Sequence, residues 1–194
     1  MKKALFVIDV QNDFCEGGAL ACQGGAAVAK KISQFIEEKR SDYDFVIASR
    51  DWHTPDESNQ GHFPAIGVEP DYVETWPLHC IANTPGADYH SNLDLGLIDI
   101  HIKKGQGAPG YSIFDGVTAD GESLDQLLKR LQIQEIDVVG IATDYCVKAS
   151  ALDSAIAGYT VKVITSLTAG VNASSTEKAI DEMVDAGVAV VATI

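Results

Sequence analysis

Apolar residues fall along the chain in short continuous runs separated by stretches of helical spacing. "KALFVIDV" (3–10) is nearly unbroken, as expected of a strand buried on both faces. After the glycine-rich "EGGALACQGG" (16–25), Val28, Ile32, Phe35 and Ile36 recur at helical spacing and predict a helix over 26–39. "DFVIAS" (44–49) predicts a second strand, and "IDIHIK" (98–103) alternates like a strand with one wetter face. Leu124, Leu127, Leu128 and Leu131 mark a helix. "IDVVGIA" (136–142) is a further buried strand, followed by a helix from about Tyr145 to Ala157. "TVKVIT" (160–165) is a strand, and "SSTE" at Ser174 to Glu177 has the pattern of a capping box opening a helix that Gly187 ends. "VAVVAT" (188–193) is the last strand.

Six strands separated mostly by helices predict an α/β three-layer sandwich, a six-stranded parallel sheet with helices on both faces. In such sheets ligands bind beyond the carboxyl ends of the strands. Residues 51–97 break the rhythm. They hold four of the five histidines, several prolines and aromatics, and little periodicity. A loop that long inside a compact domain is usually functional or disordered, and Trp52, Phe63 and Trp76 argue against disorder.

A chain of 194 residues suffices for one domain with a substantial core. No apolar run reaches the roughly 18 residues of a membrane span. "MKKALFVIDV" begins like a secretion signal, but Asp9 interrupts the apolar run and no small-residue cleavage site follows, so a core strand is expected. The net charge of −14 repels phosphate backbones and anionic lipid, which speaks against nucleic acid and membrane surfaces as partners. Cys15, Cys22, Cys80 and Cys146 form no C-x-x-C pair, and a reduced, cytoplasmic setting is expected.

Reactive groups gather at the predicted strand ends. Asp9 is near the end of the first strand, Asp51 and His53 follow the second, Lys104 ends the third, and Cys146 opens the helix after the fourth. A helix N-terminus favours an anion, so a lowered thiol pKa and a nucleophilic thiolate are expected at Cys146, with Asp9 able to take and return a proton. Asp51, His53, His62 and His79 are three imidazoles and a carboxylate, a donor set suited to Zn²⁺, Fe²⁺ or Mn²⁺. His90 and His101 are poorer candidates, in a polar turn and on the wetter face of a strand. The blander alternatives are a buried structural cysteine, a loop-capping Asp9 and polar loop histidines.

The segments "FVIDVQNDFCEGGAL", "DWH", "GHF", "WPLHC", "NTPGADYH" and "VVGIATDYCV" resemble, in order and approximate spacing over almost the whole chain, the nicotinamidase (pyrazinamidase) family of the isochorismatase-like cysteine hydrolase superfamily. The resemblance implies a single cysteine hydrolase domain over 1–194, with a metal- and substrate-binding loop region at about 51–97. It implies a catalytic triad of Asp9, Lys104 and Cys146, and one divalent metal, zinc first with iron or manganese as alternatives, on Asp51, His53, His62 and His79. It further implies a cis peptide between Ile141 and Ala142, an oxyanion hole from the Ala142 and Cys146 N–H groups, and ring contacts from Phe14 and Trp76, with Ala142 and Tyr145 also at the substrate. Tyr145 departs from the pattern, since many members carry His there. The implied reaction is hydrolysis of nicotinamide, and of pyrazinamide, in NAD salvage; a homo-oligomer stays open. A metal-free amidase or hydrolase of the superfamily and a non-catalytic metal-binding protein are the alternatives.

Period-two alternation separates two adjacent lysines. Ile98, Ile100, Ile102 and Lys104 share the inward face of the third strand, whereas Asp99, His101 and Lys103 share the wetter one. Lys103 is thereby expected to be a solvated surface charge.

Overall fold

The computed structural model describes residues 1–55 and 57–193. Its strands are β1 (Lys2–Ile8), β2 (Phe45–Asp51), β3 (Ile100–Lys104), β4 (Ile133–Ile141), β5 (Thr160–Ala169) and β6 (Ala189–Val191). The helices are α1 (Gly25–Lys39), α2 (Leu124–Leu131), α3 (Lys148–Ile156) and α4 (Ala173–Asp185). All six strands pair in parallel in one sheet of order β3-β2-β1-β4-β5-β6.

Each expected strand is present. Strand β1 stops two residues early, at Ile8, because Asp9 turns the backbone to a φ of 46°. Strand β3 starts later than its pattern suggested and runs through Lys104, so the lysine is part of the ladder, opposite Asp51 of β2. The alternation holds within the strand, where Ile102 and Lys104 are buried and His101 is exposed, but Ile98 lies before it and packs in the cluster beside α1, not on the face of Ile100 and Ile102. Lys103 is not the solvated charge expected of it. It is half-buried, with its ammonium 4.0 Å from the centre of the Trp52 ring.

Strand β1 explains why its sequence has no polar alternation. Leu5 and Val7 pack on one face with Val28, Ala29, Ile32 and Ile36 of α1. Ala4, Phe6 and Ile8 pack on the other with Leu124, Leu127 and Leu128 of α2, Ala151 of α3 and Met183 of α4. Full burial of each large side chain contributes roughly 1.5–3 kcal/mol. One face therefore has three helices and the other has one. Ala87, Tyr89 and Leu93, from the irregular β2–β3 connection, complete the apolar layer beside α1. That connection replaces a crossover helix, and two short 3₁₀ turns at Pro85–Ala87 and Leu95–Leu97 shape it.

Helix α2 opens on a capping box formed by Ser123 and Gln126. Helix α4 does not use the box expected at Ser174–Glu177. Its N-cap is Asn172, whose side chain accepts from Ser175 N at 2.9 Å, and both serines lie in the first turn. The better local acceptor, two residues upstream, won.

Candidate active site

Chain order reverses between β1 and β4, the switch point where parallel sheets bind ligands. Asp9 leaves β1 there. A buried π-helical turn, Thr143–Val147, follows β4 and presents Cys146. The peptide between Ile141 and Ala142 is cis. The Ala142 carbonyl accepts from both Tyr145 N (3.1 Å) and Val147 N (3.0 Å), which winds the turn around Cys146.

Lys104, fully buried, reaches this switch point from β3. Its Nζ donates to Asp51 Oδ1 (2.5 Å), to the Gly110 carbonyl (2.6 Å) and to Cys146 Sγ (3.6 Å). Asp9 Oδ2 is also 2.8 Å from Nζ, as an ion pair. Asp9 Oδ1 accepts from Ser49 Oγ at 2.7 Å, and a carboxylate oxygen of Asp9 lies within 4.8 Å of Cys146 Sγ.

Burial acts against charge on all these groups, and neighbours decide the outcome. For Lys104, burial opposes the ammonium, but the Asp51 and Asp9 carboxylates outweigh it and hold the pKa well above the usual lysine value. For Asp51, burial is likewise outweighed, by Lys104 and His53, and the carboxyl is held low. Burial wins at Asp9, whose pKa is raised. It also wins at Cys146, whose thiol is pushed well above its ordinary value despite Lys104. The lowered thiol pKa expected from the helix position is therefore not found: burial pushes the Cys146 thiol up, because desolvation exceeds the benefit of the adjacent ammonium.

The three histidines of the expected metal set lie on the other side of Asp51, and all four expected ligands are buried. Asp51 Oδ2 is 3.7 Å from His53 Nε2 and 3.9 Å from His79 Nε2, and His62 Nε2 is 3.4 Å from His79 Nε2. Two carbonyls fix the tautomers. His53 Nδ1 lies 2.9 Å from the Gly105 carbonyl and His79 Nδ1 lies 2.8 Å from that of Pro77. Each Nδ1 must donate, which leaves each Nε2 a lone pair directed inward. Burial, with neighbouring imidazoles, lowers His62 to about 3, and burial lowers His79 to about 4, so both rings are neutral at pH 7. The donor set fits a divalent ion. His53 Nε2 is buried with no hydrogen-bond partner among the described residues. Ligands about 2.0–2.1 Å from a tetrahedral zinc stand about 3.4 Å apart, the His62–His79 separation, and the two Asp51–histidine separations are somewhat longer. Gly105 is required beside this cluster: its φ is 72°, and a Cβ there would sit 2.7 Å from His53 Cε1.

The two groups meet at the floor of a cavity of about 280 Å³ that Asp51, His79 and Cys146 line together. Its walls include the expected Phe14, Trp76, Ala142 and Tyr145. Trp76 meets Tyr145 edge to face at 5.1 Å between ring centres, and its Nε1 donates to Tyr111 Oη at 2.8 Å. His90 and His101 are elsewhere; His101 contacts Tyr89 Oη.

Sequence reasoning missed three supporting residues. Tyr111 completes the aromatic wall. Gln11 accepts from Asp51 N at 2.8 Å and donates to the Asp51 carbonyl at 2.9 Å, clamping that ligand's backbone. Asp144 accepts from Val171 N at 3.0 Å and from Ser175 Oγ, tying the cysteine turn to the start of α4. Gln11 and Asp144 stand just beyond buried strands, a position that signals a site, but their partners are remote in sequence.

With this parallel sheet and this site, the chain is a member of the isochorismatase domain family, which matches residues 3–194. Within that family it is 44% identical over 189 residues to a nicotinamidase/pyrazinamidase of Mycobacterium tuberculosis, covering 97% of this chain and 98% of the relative. A pyrazinamidase of Pyrococcus horikoshii solved in complex with zinc superposes with a TM-score of 0.80 at 31% identity, covering 98% of this chain and 99% of the other. A protein of L. infantum solved in complex with nicotinate also gives 0.80, at 30% identity, covering 98% and 92%.

Proposed function

We propose that residues 1–194 work as one metal-dependent amidohydrolase domain that converts nicotinamide to nicotinate and ammonia, and accepts pyrazinamide, through a thioester on Cys146. The observation that carries this reading is Lys104. One buried ammonium touches Asp9, Asp51 and Cys146, and so joins a thiol–carboxylate pair to the histidine cluster on a single cavity floor. The kinship with nicotinamidases supports the choice of amide.

The aromatic walls, Phe14 and Trp76 foremost, hold the pyridine ring. Asp9 Oδ2 takes the Cys146 proton as the sulfur attacks the amide carbon, and Lys104 stabilises the charges of the pair. The Ala142 and Cys146 N–H groups hold the oxyanion. Collapse breaks the C–N bond, and Asp9 returns its proton to the departing ammonia. Asp9 then deprotonates a water that attacks the thioester, releasing nicotinate and restoring the thiol. Asp51, His53, His62 and His79 would hold a divalent ion, zinc first and iron or manganese as alternatives, which would supply a Lewis acid for the ring nitrogen.

This chemistry fits pyridine nucleotide salvage in the cytoplasm. No helix among the described residues is long and apolar enough to cross a membrane. The test measures ammonia release from nicotinamide together with metal content on the same sample. Turnover with about one metal per chain is expected, with a Cys146 acyl adduct in mass spectra of quenched enzyme. Full activity in metal-free protein, or no ammonia from the metal-loaded one, overturns the reading.

A further inference from the structure

Resting on the metal-dependent reading above, we propose that Asp13 is a positioning residue that couples the substrate-facing loop to the metal loop. Asp13 lies in the short 3₁₀ turn Asn12–Phe14 and is not among the residues that line the cavity. Its hydrogen bonds reach both sides. Asp13 Oδ1 accepts from Ala19 N at 3.3 Å, and its backbone carbonyl accepts from Leu20 N at 2.9 Å. Ala19, Leu20, Ala21 and Cys22 form one wall of the cavity. Asp13 Oδ2 accepts from Cys80 N at 2.7 Å, which sets the peptide directly after His79.

Cys80 extends the connection. Its backbone has a φ of 46°, and its carbonyl accepts from His53 N at 3.0 Å. One peptide segment thus receives Asp13 on its N–H side and places His53 on its carbonyl side. Phe14, on the same turn as Asp13, lies 5.5 Å from the His79 ring, centre to centre. A shift of Asp13 would therefore move a cavity wall and two metal ligands together. Room for another arrangement is small, because a Cβ on Gly86 would overlap the Asp13 carboxylate.

Asp13→Asn replaces one acceptor by a donor. If the amide oxygen serves Ala19, the amide nitrogen faces Cys80 N–H; the flipped rotamer reverses the conflict. Either way one of the two side-chain contacts becomes a clash of donors, and the shift of the side chain that relieves it acts on both loops. Gly86→Ala displaces the carboxylate without altering its chemistry, and remains informative if Asp13→Asn fails to fold. The experiment strips wild-type and variant full-length chains of metal, titrates Zn²⁺ against a competing chromophoric chelator, and then measures kcat and KM for nicotinamide at saturating zinc.

Zinc affinity is expected to fall about tenfold or more in Asp13→Asn, the scale seen when a partner that orients metal ligands is lost. KM should rise several-fold even when zinc is saturating, with kcat less affected. Gly86→Ala should move both quantities in the same direction by less. Folded variants with wild-type zinc affinity and KM, losing only melting temperature, overturn the proposal, as does a loss confined to one of the two quantities. A wild-type chain that binds no zinc overturns the metal-dependent reading instead, which the titration of wild type reveals separately.

Discussion

The two halves of the site are built by opposite means. Asp9, Asp51 and Lys104 stand at the ends of three adjacent strands, and the parallel ladder spaces them; Asp51 and Lys104 are direct partners across β2 and β3. The histidines stand in an irregular connection that has no ladder of its own. His53 is held by Cys80 and Ala82 on the backbone and by Gly105 at its ring, and His62 is held through the Trp76 N–H on its carbonyl. Asp51 belongs to both halves, giving Oδ1 to Lys104 and facing Oδ2 to two histidines. The strand-borne half is fixed by the fold as a whole. The loop-borne half depends on a few individual hydrogen bonds, and its geometry should also depend on its metal.

The largest expected effect removes the group on which the strand-borne half acts. Cys146→Ala should abolish nicotinamide hydrolysis in a protein that still gives a native circular dichroism spectrum, whereas Cys15→Ala, Cys22→Ala and Cys80→Ala should each retain measurable turnover. All four thiols are free and buried, so burial does not distinguish them; contact with Lys104 does. Rapid turnover by folded Cys146→Ala protein would exclude thiol chemistry.

Lys104→Ala comes next. It should lose on the order of 10²-fold or more in kcat/KM. It leaves two buried carboxylates facing each other, and breaking a buried pair costs about 3–5 kcal/mol, so urea unfolding should also shift to lower denaturant. Lys103→Ala should stay near wild type in turnover, since Lys103 meets the Trp52 ring and not the site. A dead Lys103→Ala enzyme beside an active Lys104→Ala one would invert the assignment.

The loop-borne half should fail through its metal. In His53→Ala or His79→Ala, metal content and activity should fall together, and chelation of wild type should lower activity until Zn²⁺, Fe²⁺ or Mn²⁺ is restored. Elemental analysis beside the ammonia assay checks this; activity untouched by complete metal removal would separate the two halves chemically. The smallest effect is expected on the cavity wall. Trp76→Ala should weaken substrate binding by roughly 0.5–1.5 kcal/mol beyond the loss of buried area, read as a rise in KM. An unchanged KM would make Trp76 a packing residue only.

Legibility followed the same division. The strands could be read because a strand buried on both faces must be apolar throughout, as "KALFVIDV" is, and because period-two alternation placed Lys104 inward and His101 outward. The cap of α4 was misread by two residues, since "SSTE" and Asn172 offer competing acceptors and local sequence does not rank them. The role of 85–98 as a substitute for a crossover helix was not visible, because its buried residues follow no period. Gln11, Tyr111 and Asp144 were missed because each is defined by a partner far away in the chain.

Sequence by itself determined the strand and helix runs, the inward face of β3 and the residue types that gather where parallel strands end. Those follow from local periodicity and from the common direction of the strands. Only the tertiary structure decided that one ammonium would serve Asp9, Asp51 and Cys146, and that burial would push the Cys146 thiol up. A pKa reflects the balance of desolvation against every nearby charge, and that balance exists only after the strands and the loop have closed around the site.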